Sequence, residues 1–278
     1  MMNIGLVGSK GFLGEQIKTA FKNQNIFPLS YRVSRHNDIS IDAINNSIEN
    51  LNLDIIINCS ALIGFENCFI NKWDAYNINA ILPFKLALVA EIQKIKFVQI
   101  STEAVFANGV KLVKYSELDK PNPSTVYGKS KYKGEQLISD FDYSSIIRLP
   151  KLFNSNTQIV SMLLKKIINK ENVKISDDLF STPLHVRLAA ELIAEIITGS
   201  KFTSKKLLHI SGDTQLSLYS LVRRLVSKNY LHLIEKTSNS HFDPNPKEPP
   251  LLNCGLQAKP ECTIKIEDSI KLFEKEIK

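Results

Sequence analysis

Asn3-Ile4-Gly5-Leu6-Val7-Gly8-Ser9-Lys10-Gly11-Phe12-Leu13-Gly14 is the stretch from which the rest of this 278-residue chain can be read. Asn3 to Val7 is a short apolar run that reads as a β-strand. Three glycines follow in GxxGxxG spacing, and an amphipathic run from about Phe12 to Lys22 reads as a helix. A strand that turns sharply into a helix through small residues brings free backbone N–H groups to one point. Phosphate binds well there, because the glycines let a pyrophosphate approach the backbone. Three glycines alone are a weak signal, and a simple tight turn is the competing reading. The apolar strand before them and the helix after them favour a dinucleotide. The run lacks the GK[ST] ending of a triphosphate-binding loop.

The same alternation continues downstream. Asn25 to Val33 reads as a strand, and Asp54 to Asn58 as a strand buried on both faces. Asp74 to Ile95 is helical, Lys96 to Ser101 a strand, Thr125 to Asp140 a helix capped by Ser124, and Ser144 to Leu149 a strand. This order predicts an α/β fold of Rossmann type, a doubly wound parallel sheet, with a smaller C-terminal substrate-binding lobe. Residues 1–150 are expected to form the NAD(P)-binding domain and 151–278 mainly the lobe, with elements near 173–212 returning to the first. Later helices are expected at Thr157–Lys170, Leu184–Thr198, Leu216–Lys228 and Asp268–Ile277, a strand at Leu207–Ile210, and a proline-rich loop at His241–Pro250. Ligands of such sheets lie beyond the strands' carboxyl ends, where Gly8, Ser60, Ser101 and Leu149 fall.

Composition sets the outer bounds. With 44% hydrophobic and 23% charged residues the chain fits a globular enzyme. No apolar run approaches a membrane span, and the first residues read as a strand rather than a signal peptide. Cys59, Cys68, Cys254 and Cys262 form no CxxC pair and the five histidines show no metal-ligand spacing, so no metal is expected and a cytoplasmic setting is. The net charge of +7 comes from lysines interleaved with acids. That reads as a solvated surface or an anionic ligand, and not as a nucleic-acid or membrane interface.

Tyr127 and Lys131 stand four residues apart, on one face of the predicted helix. A tyrosine there can give a proton to an alkoxide, and a nearby ammonium is expected to lower its pKa. Thr102, at the end of the preceding strand, offers a hydroxyl for the same oxygen. Glu103 reads either as a substrate contact or as a loop acid. At the end of the second strand no carboxylate precedes Asp38. Arg35 or Arg32 is therefore a candidate to meet a 2′-phosphate, with Ser34 as a further donor; two exposed arginines is the competing reading.

These residues resemble the extended short-chain dehydrogenase/reductase superfamily, and more closely its dTDP-4-dehydrorhamnose reductase family. Gln99 to Gly109 is similar to that family's STDYVFDG stretch, and Tyr115-Ser116-Glu117, Pro121, Pro123 and Tyr127 to Glu135 to its acid-proline-YGKSK-GE segment. Asp54 to Ala61, Asn79-Ala80 with Pro83, and Ser181 to Leu184 match further segments. The resemblance implies a reductase of a nucleoside-diphosphate 4-keto-6-deoxy sugar, serving surface polysaccharide. It implies Thr102, Tyr127 and Lys131 as catalytic residues. The cofactor, NADPH with NADH as the alternative, would be held by Gly8, Gly11, Phe12, Leu13, Gly14, Arg35, Asp38, Ile39, Cys59, Ser60, Ala61, Ser101 and Lys131. Thr102, Glu103, Ala104, Tyr127 and Lys151 would meet the sugar, and a homodimer is the expected assembly. Four departures lie on the substrate side: Glu103-Ala104 for Asp-Tyr, Lys151 for a tryptophan, Ala61-Leu62-Ile63 for Ala-Tyr-Thr, and Lys247-Glu248-Pro249 for Arg-Pro. The other readings are an epimerase or dehydratase of the same superfamily, for which Glu103 supplies one acid but not a pair, and a non-catalytic dinucleotide-binding regulatory subunit.

Overall fold

The computed structural model describes residues 1–33, 38–106, 113–199, 202, 206–238 and 254–277. Along the chain run β1 (Asn3–Val7), α1 (Phe12–Ala20), β2 (Asn25–Leu29), α2 (Ile41–Ile48) and β3 (Ile55–Asn58). Then come α3 (Phe65–Ile70), α4 (Lys72–Tyr76), a π-helical stretch at Asn77–Ile81, α5 (Leu82–Gln93) and β4 (Lys96–Thr102). They are followed by β5 (Val113–Tyr115), α6 (Val126–Ile138), β6 (Ser144–Leu149), β7 (Leu152–Phe153), α7 (Gln158–Ile168) and β8 (Val173–Ser176). The chain goes on through β9 (Phe180–Ser181), β10 (Leu184–His185), α8 (Val186–Thr198), β11 (Leu207–His209), α9 (Leu218–Leu225) and α10 (Ile266–Glu276).

The central sheet has six strands in the order β11-β6-β4-β3-β1-β2, all parallel. The period of two along each strand divides its side chains between two cores. Ile4, Leu6, Ile55, Ile57, Val98 and Ile100 pack with α1 and α8 through Leu13, Ile17, Ala190 and Ile193. Val7, Ile56 and Phe97 go to the other face, against Ile44 and Ile48 of α2 and Leu86 and Ala90 of α5. Both faces are thus covered, as a doubly wound sheet requires.

The structure departs from the predicted elements at several points. Helices α2 and α3 are not among those predicted, and the helices expected from Leu184 and Leu216 each begin two residues later, after a two-residue strand. Three further differences have a clear local form. β2 stops at Leu29, four residues short of Val33, because its partner β1 ends at the residue paired with it, Val7. Helix α6 begins at Val126, and Thr125 caps it by accepting from Gly128 N at 3.1 Å, so Ser124 is not the cap. Lys72–Gln93 is one continuous helical run of 22 residues, long and apolar enough by composition to cross a membrane; half of its most apolar 18-residue stretch is buried in this fold.

Of residues 173–212, α8 and β11 lie with the central sheet, whereas β8 pairs with Ile234–Thr237. Helices α7, α9 and α10 surround two further small cores, one around Phe153, Leu221 and Phe273 and one around Ile167, Ile175 and Val222. Short two-residue ladders connect this lobe to the cleft: β7 with β10, and β9 with Leu216–Ser217.

Candidate active site

The strand order reverses beside β1, where β2 lies on one side and β3 on the other. The crevice at that reversal is the expected ligand position. Gly8 sits at its base with φ +79°, a backbone conformation that disfavours side chains. A Cβ on Gly8 would come within 2.7 Å of Ser60 N, and one on Gly14 within 2.1 Å of Gly8 O. These two glycines are demanded by the fold. Gly11 is different: a Cβ there would meet only Gly8 O, at 3.2 Å, and Gly11 lines the open cleft with Phe12 and Leu13. The protein itself leaves room above Gly11, at the N-terminus of α1. That is where a pyrophosphate would need it.

A chain of side-chain amides fixes the neighbouring strand ends. Asn58 Nδ2 donates to Gln99 Oε1 at 2.8 Å, and Gln99 Nε2 to Ile100 O at 2.7 Å. Asn58 Oδ1 accepts from Ser60 N at 3.0 Å and from Ser60 Oγ at 2.6 Å. Asn79, in the π-helical stretch, bonds Leu62 N and Leu62 O, each at 2.9 Å, and donates to Ser130 Oγ of α6 at 3.0 Å. The loop after β3 and the helix bearing Tyr127 are therefore held by one residue.

The cleft encloses about 550 Å³. On its sheet side stand Cys59, Ala61, Ser101, Thr102, Glu103, Ala104, Tyr127 and Lys131; on its lobe side stand Lys151, Leu179, Phe180, Ser181, Leu216 and Leu218. Thr102, Tyr127 and Lys131 are thus brought to one place. Thr102 hydrogen-bonds Tyr127 through its side chain, and its Oγ1 also accepts from Ala104 N at 3.2 Å. Phe65 packs edge-on against the Tyr127 ring, with centroids 6.1 Å apart. Lys131 is buried and its Nζ donates to Ile100 O at 2.6 Å.

The expected depression of the tyrosine pKa is not what this site shows. Burial pushes Tyr127 up to about 12; the Thr102 hydrogen bond opposes this, and Glu103 adds to it. Tyr127 is a neutral proton donor at pH 7. Lys131 is itself pulled down to about 8 by burial, against Glu135 and Cys59, which favour its charge. Burial also pushes the Cys59 thiol up to about 12, so it is no nucleophile. Tyr127 and Lys151 keep surface open to solvent, yet both sit among dense protein atoms along a concave wall, which is why burial dominates their titration.

Glu103 is buried at 9% exposure. Its carboxylate accepts from Ser181 Oγ, 2.7 Å from Oε1 and 2.9 Å from Oε2, and from Lys151 N at 3.1 Å. Burial raises it to about 7, against the Ser181 hydrogen bond and the Lys151 charge. Behind the cleft, Ser101 Oγ donates to Glu135 Oε1 at 2.5 Å. Arg148 grips the same carboxylate through Nε at 3.0 Å and Nη2 at 2.7 Å. Arg148 Nη1 lies 3.3 Å from His209 Nε2, while His209 Nδ1 faces the carbonyls of Tyr115 and Gln257. Nδ1 then carries the proton and Nε2 accepts, consistent with burial lowering the His209 pKa.

The remaining sequence candidates lie apart. Asp38 is paired with Lys85 at 2.8 Å and Ile39 packs into the core beneath α2; neither lines the cleft. Arg35 and Ser34, like the loop at His241–Pro250 with Lys247-Glu248-Pro249, lie outside the described residues. Sequence reasoning missed Ser181, Glu135 and Arg148 as site residues, and the apolar lobe wall. Ser181 and Glu135 do stand inside segments that carry the family resemblance, and this was the available signal.

A sequence profile of the family described as RmlD substrate binding domain matches residues 2–250. The spore coat polysaccharide biosynthesis protein SpsK of Bacillus subtilis is 24% identical over 251 residues, 89% of this chain and 87% of its own length. A dTDP-4-dehydrorhamnose reductase of Aggregatibacter actinomycetemcomitans is 25% identical, over 87% of this chain and 91% of its own. The fold is shared with the crystal structure of the Bacillus anthracis dTDP-4-dehydrorhamnose reductase in complex with NADP, at a TM-score of 0.84 and 22% identity, covering 100% of both chains.

Proposed function

The chain belongs to the RmlD substrate binding domain family, and from that premise we propose that it is an NAD(P)H-dependent reductase of a nucleoside-diphosphate 4-keto-6-deoxy sugar. The observation that carries this reading is the meeting of Thr102, Tyr127 and Lys131 in one cleft with the glycine turn. The dinucleotide, when bound, supplies the hydride. Gly8, Gly11 to Gly14, Cys59 to Ala61 and Lys131 would hold it, and the room above Gly11 fits its pyrophosphate. Thr102 and Tyr127 direct two hydroxyls at one point and would orient a carbonyl oxygen between them. As that oxygen gains charge, Tyr127, neutral at pH 7, gives it a proton. The buried ammonium of Lys131 favours the phenolate left behind and would share its remaining donors with ribose hydroxyls. Glu103, Ala104 and Lys151 form the sugar end of the cleft.

NADPH is the proposed cofactor, with Arg35 as its phosphate partner; a homodimer and a cytoplasmic setting go with this reading. The test is NADPH oxidation, followed at 340 nm, with dTDP-4-keto-6-deoxy-D-glucose. The expected result is one NADPH consumed per sugar reduced. Conversion of the sugar with no net consumption would point to an epimerase or dehydratase instead.

A further inference from the structure

Glu103 is the only carboxylate lining the cleft among the described residues, and hydride reduction makes no use of it. It follows Thr102 directly, on the turn Glu103–Val105, so it stands next to the hydroxyl assigned to the carbonyl oxygen. Its position is fixed from two sides: Ser181 of β9 and the Lys151 amide, in the connection between β6 and β7, both hold it. A serine has one proton to give, so these partners fill two of roughly four acceptor positions on the carboxylate. The rest remain for a group in the cleft. The charge of Glu103 is felt by Tyr127 and by Lys151, which places all three around one space.

We propose that Glu103 removes and returns a proton on a carbon next to the keto group of the bound sugar, so that the site enolises its substrate as well as reducing it. The inference rests on the reading above, in which the keto oxygen sits at Thr102 and Tyr127. A ketone held by two hydroxyl donors has acidic neighbouring C–H bonds. The carboxylate takes the proton, and the C–H electron pair becomes the new C=C bond. The former carbonyl pair moves onto the oxygen, held by Thr102 and Tyr127. Reversal returns a proton from Glu103 to the same carbon and restores the ketone, with no oxidant or reductant consumed. A carboxyl poised near pH 7 serves in both directions. The described lining has no second carboxylate to deliver a proton from the opposite face, so exchange proceeds with retention of configuration.

The test is deuterium uptake from D₂O into dTDP-4-keto-6-deoxy-D-glucose, followed by mass spectrometry, with the full chain and NADP⁺, which has no hydride to give. Uptake well above the enzyme-free rate is expected, with at least a hundredfold loss in Glu103→Gln. If Glu103→Gln fails to bind NADP⁺, Glu103→Asp provides the same reading, since its carboxylate is drawn back by one methylene. Uptake by the parent no faster than buffer, or undiminished in the variant that binds cofactor, overturns the proposal. NADPH oxidation with the same sugar separates the two levels. Reduction without exchange sinks enolisation alone, whereas neither reaction sinks the substrate reading and this inference with it.

Discussion

Gly11 and Gly14 stand three residues apart in the same turn, and opposite consequences follow from substituting them. In Gly14→Ala the new Cβ would lie 2.1 Å from Gly8 O and 3.0 Å from Ser9 Cα, and both are backbone atoms that cannot swing aside. Overpacking typically costs about 1–3 kcal/mol. An overlap with backbone belongs at the top of that range, so about 3 kcal/mol is expected. For a chain of this size that corresponds to a fall in Tm of roughly 6–12 °C. In Gly11→Val the Cβ meets one oxygen at 3.2 Å, and φ −78°, ψ 167° is extended backbone open to valine. Its cost in stability is that of a poor N-cap, within about 1 kcal/mol. The branched side chain would instead fill the space reserved for pyrophosphate. Losing one charge-assisted hydrogen bond, about 1.5–3 kcal/mol, weakens NADPH roughly ten- to a hundredfold. Thermal melting of the free protein and fluorescence titration with NADPH read the two effects separately. Parent-like affinity in Gly11→Val would mean that the dinucleotide binds elsewhere, and a parent-like Tm in Gly14→Ala would refute the packing argument.

Tyr127→Phe is expected to lower reduction about 10²–10⁴-fold with NADPH affinity nearly intact; steady-state rates within tenfold of the parent would remove Tyr127 from proton transfer. Lys131, pulled down to about 8, loses its charge as pH rises through that value, so kcat/KM should fall above pH 8. Because its folded pKa lies below the unfolded one, its contribution to stability rises from about pH 8 to 10.5. Activity lost there while Tm holds is the expected signature, and a flat profile to pH 9.5 contradicts it. Glu135→Gln leaves the buried Arg148 guanidinium without its counter-charge and should cost about 3–5 kcal/mol, seen as a lower urea midpoint; an unmoved midpoint would show the pair to be dispensable. Arg35→Ala should weaken NADPH about ten- to a hundredfold more than NADH, and equal losses for both would detach Arg35 from cofactor choice.

What the sequence revealed follows from the range of the forces involved. The continuous apolar run Ile55-Ile56-Ile57, whose side chains reach both cores, is a local pattern, and the glycine turn is a local conformation. Both were legible. Helix α2 is only eight residues long and carries two asparagines; its one signal is Ser40, which accepts from Ala43 N at 3.1 Å. The shift of the α6 cap from Ser124 to Thr125 is a one-residue choice between two good capping types. The direction of the Tyr127 shift was misjudged because spacing reveals which charge is near but not how much water is excluded. Ser181 meets Glu103 across 78 residues of chain, a contact that no local pattern encodes.

The lobe wall of the cleft rests on ladders only two residues long, β9 with Leu216–Ser217 and β7 with β10, while Thr102, Tyr127 and Lys131, to which proton transfer is assigned by proposal, stand on or beside a six-stranded sheet. A substitution in a two-residue ladder risks one or two hydrogen bonds; one in the sheet disturbs two cores at once. The two walls of a single cleft thus have unequal tolerance to mutation. Selection can retune which substrate is accepted by sampling the half-buried Leu179, Phe180 and Leu218 at small thermodynamic cost, while Ser181, Leu216 and Ser217 are held by Glu103, the lobe core and the α9 cap. The proposed hydride chemistry, assigned to the stiff half, is carried along unchanged.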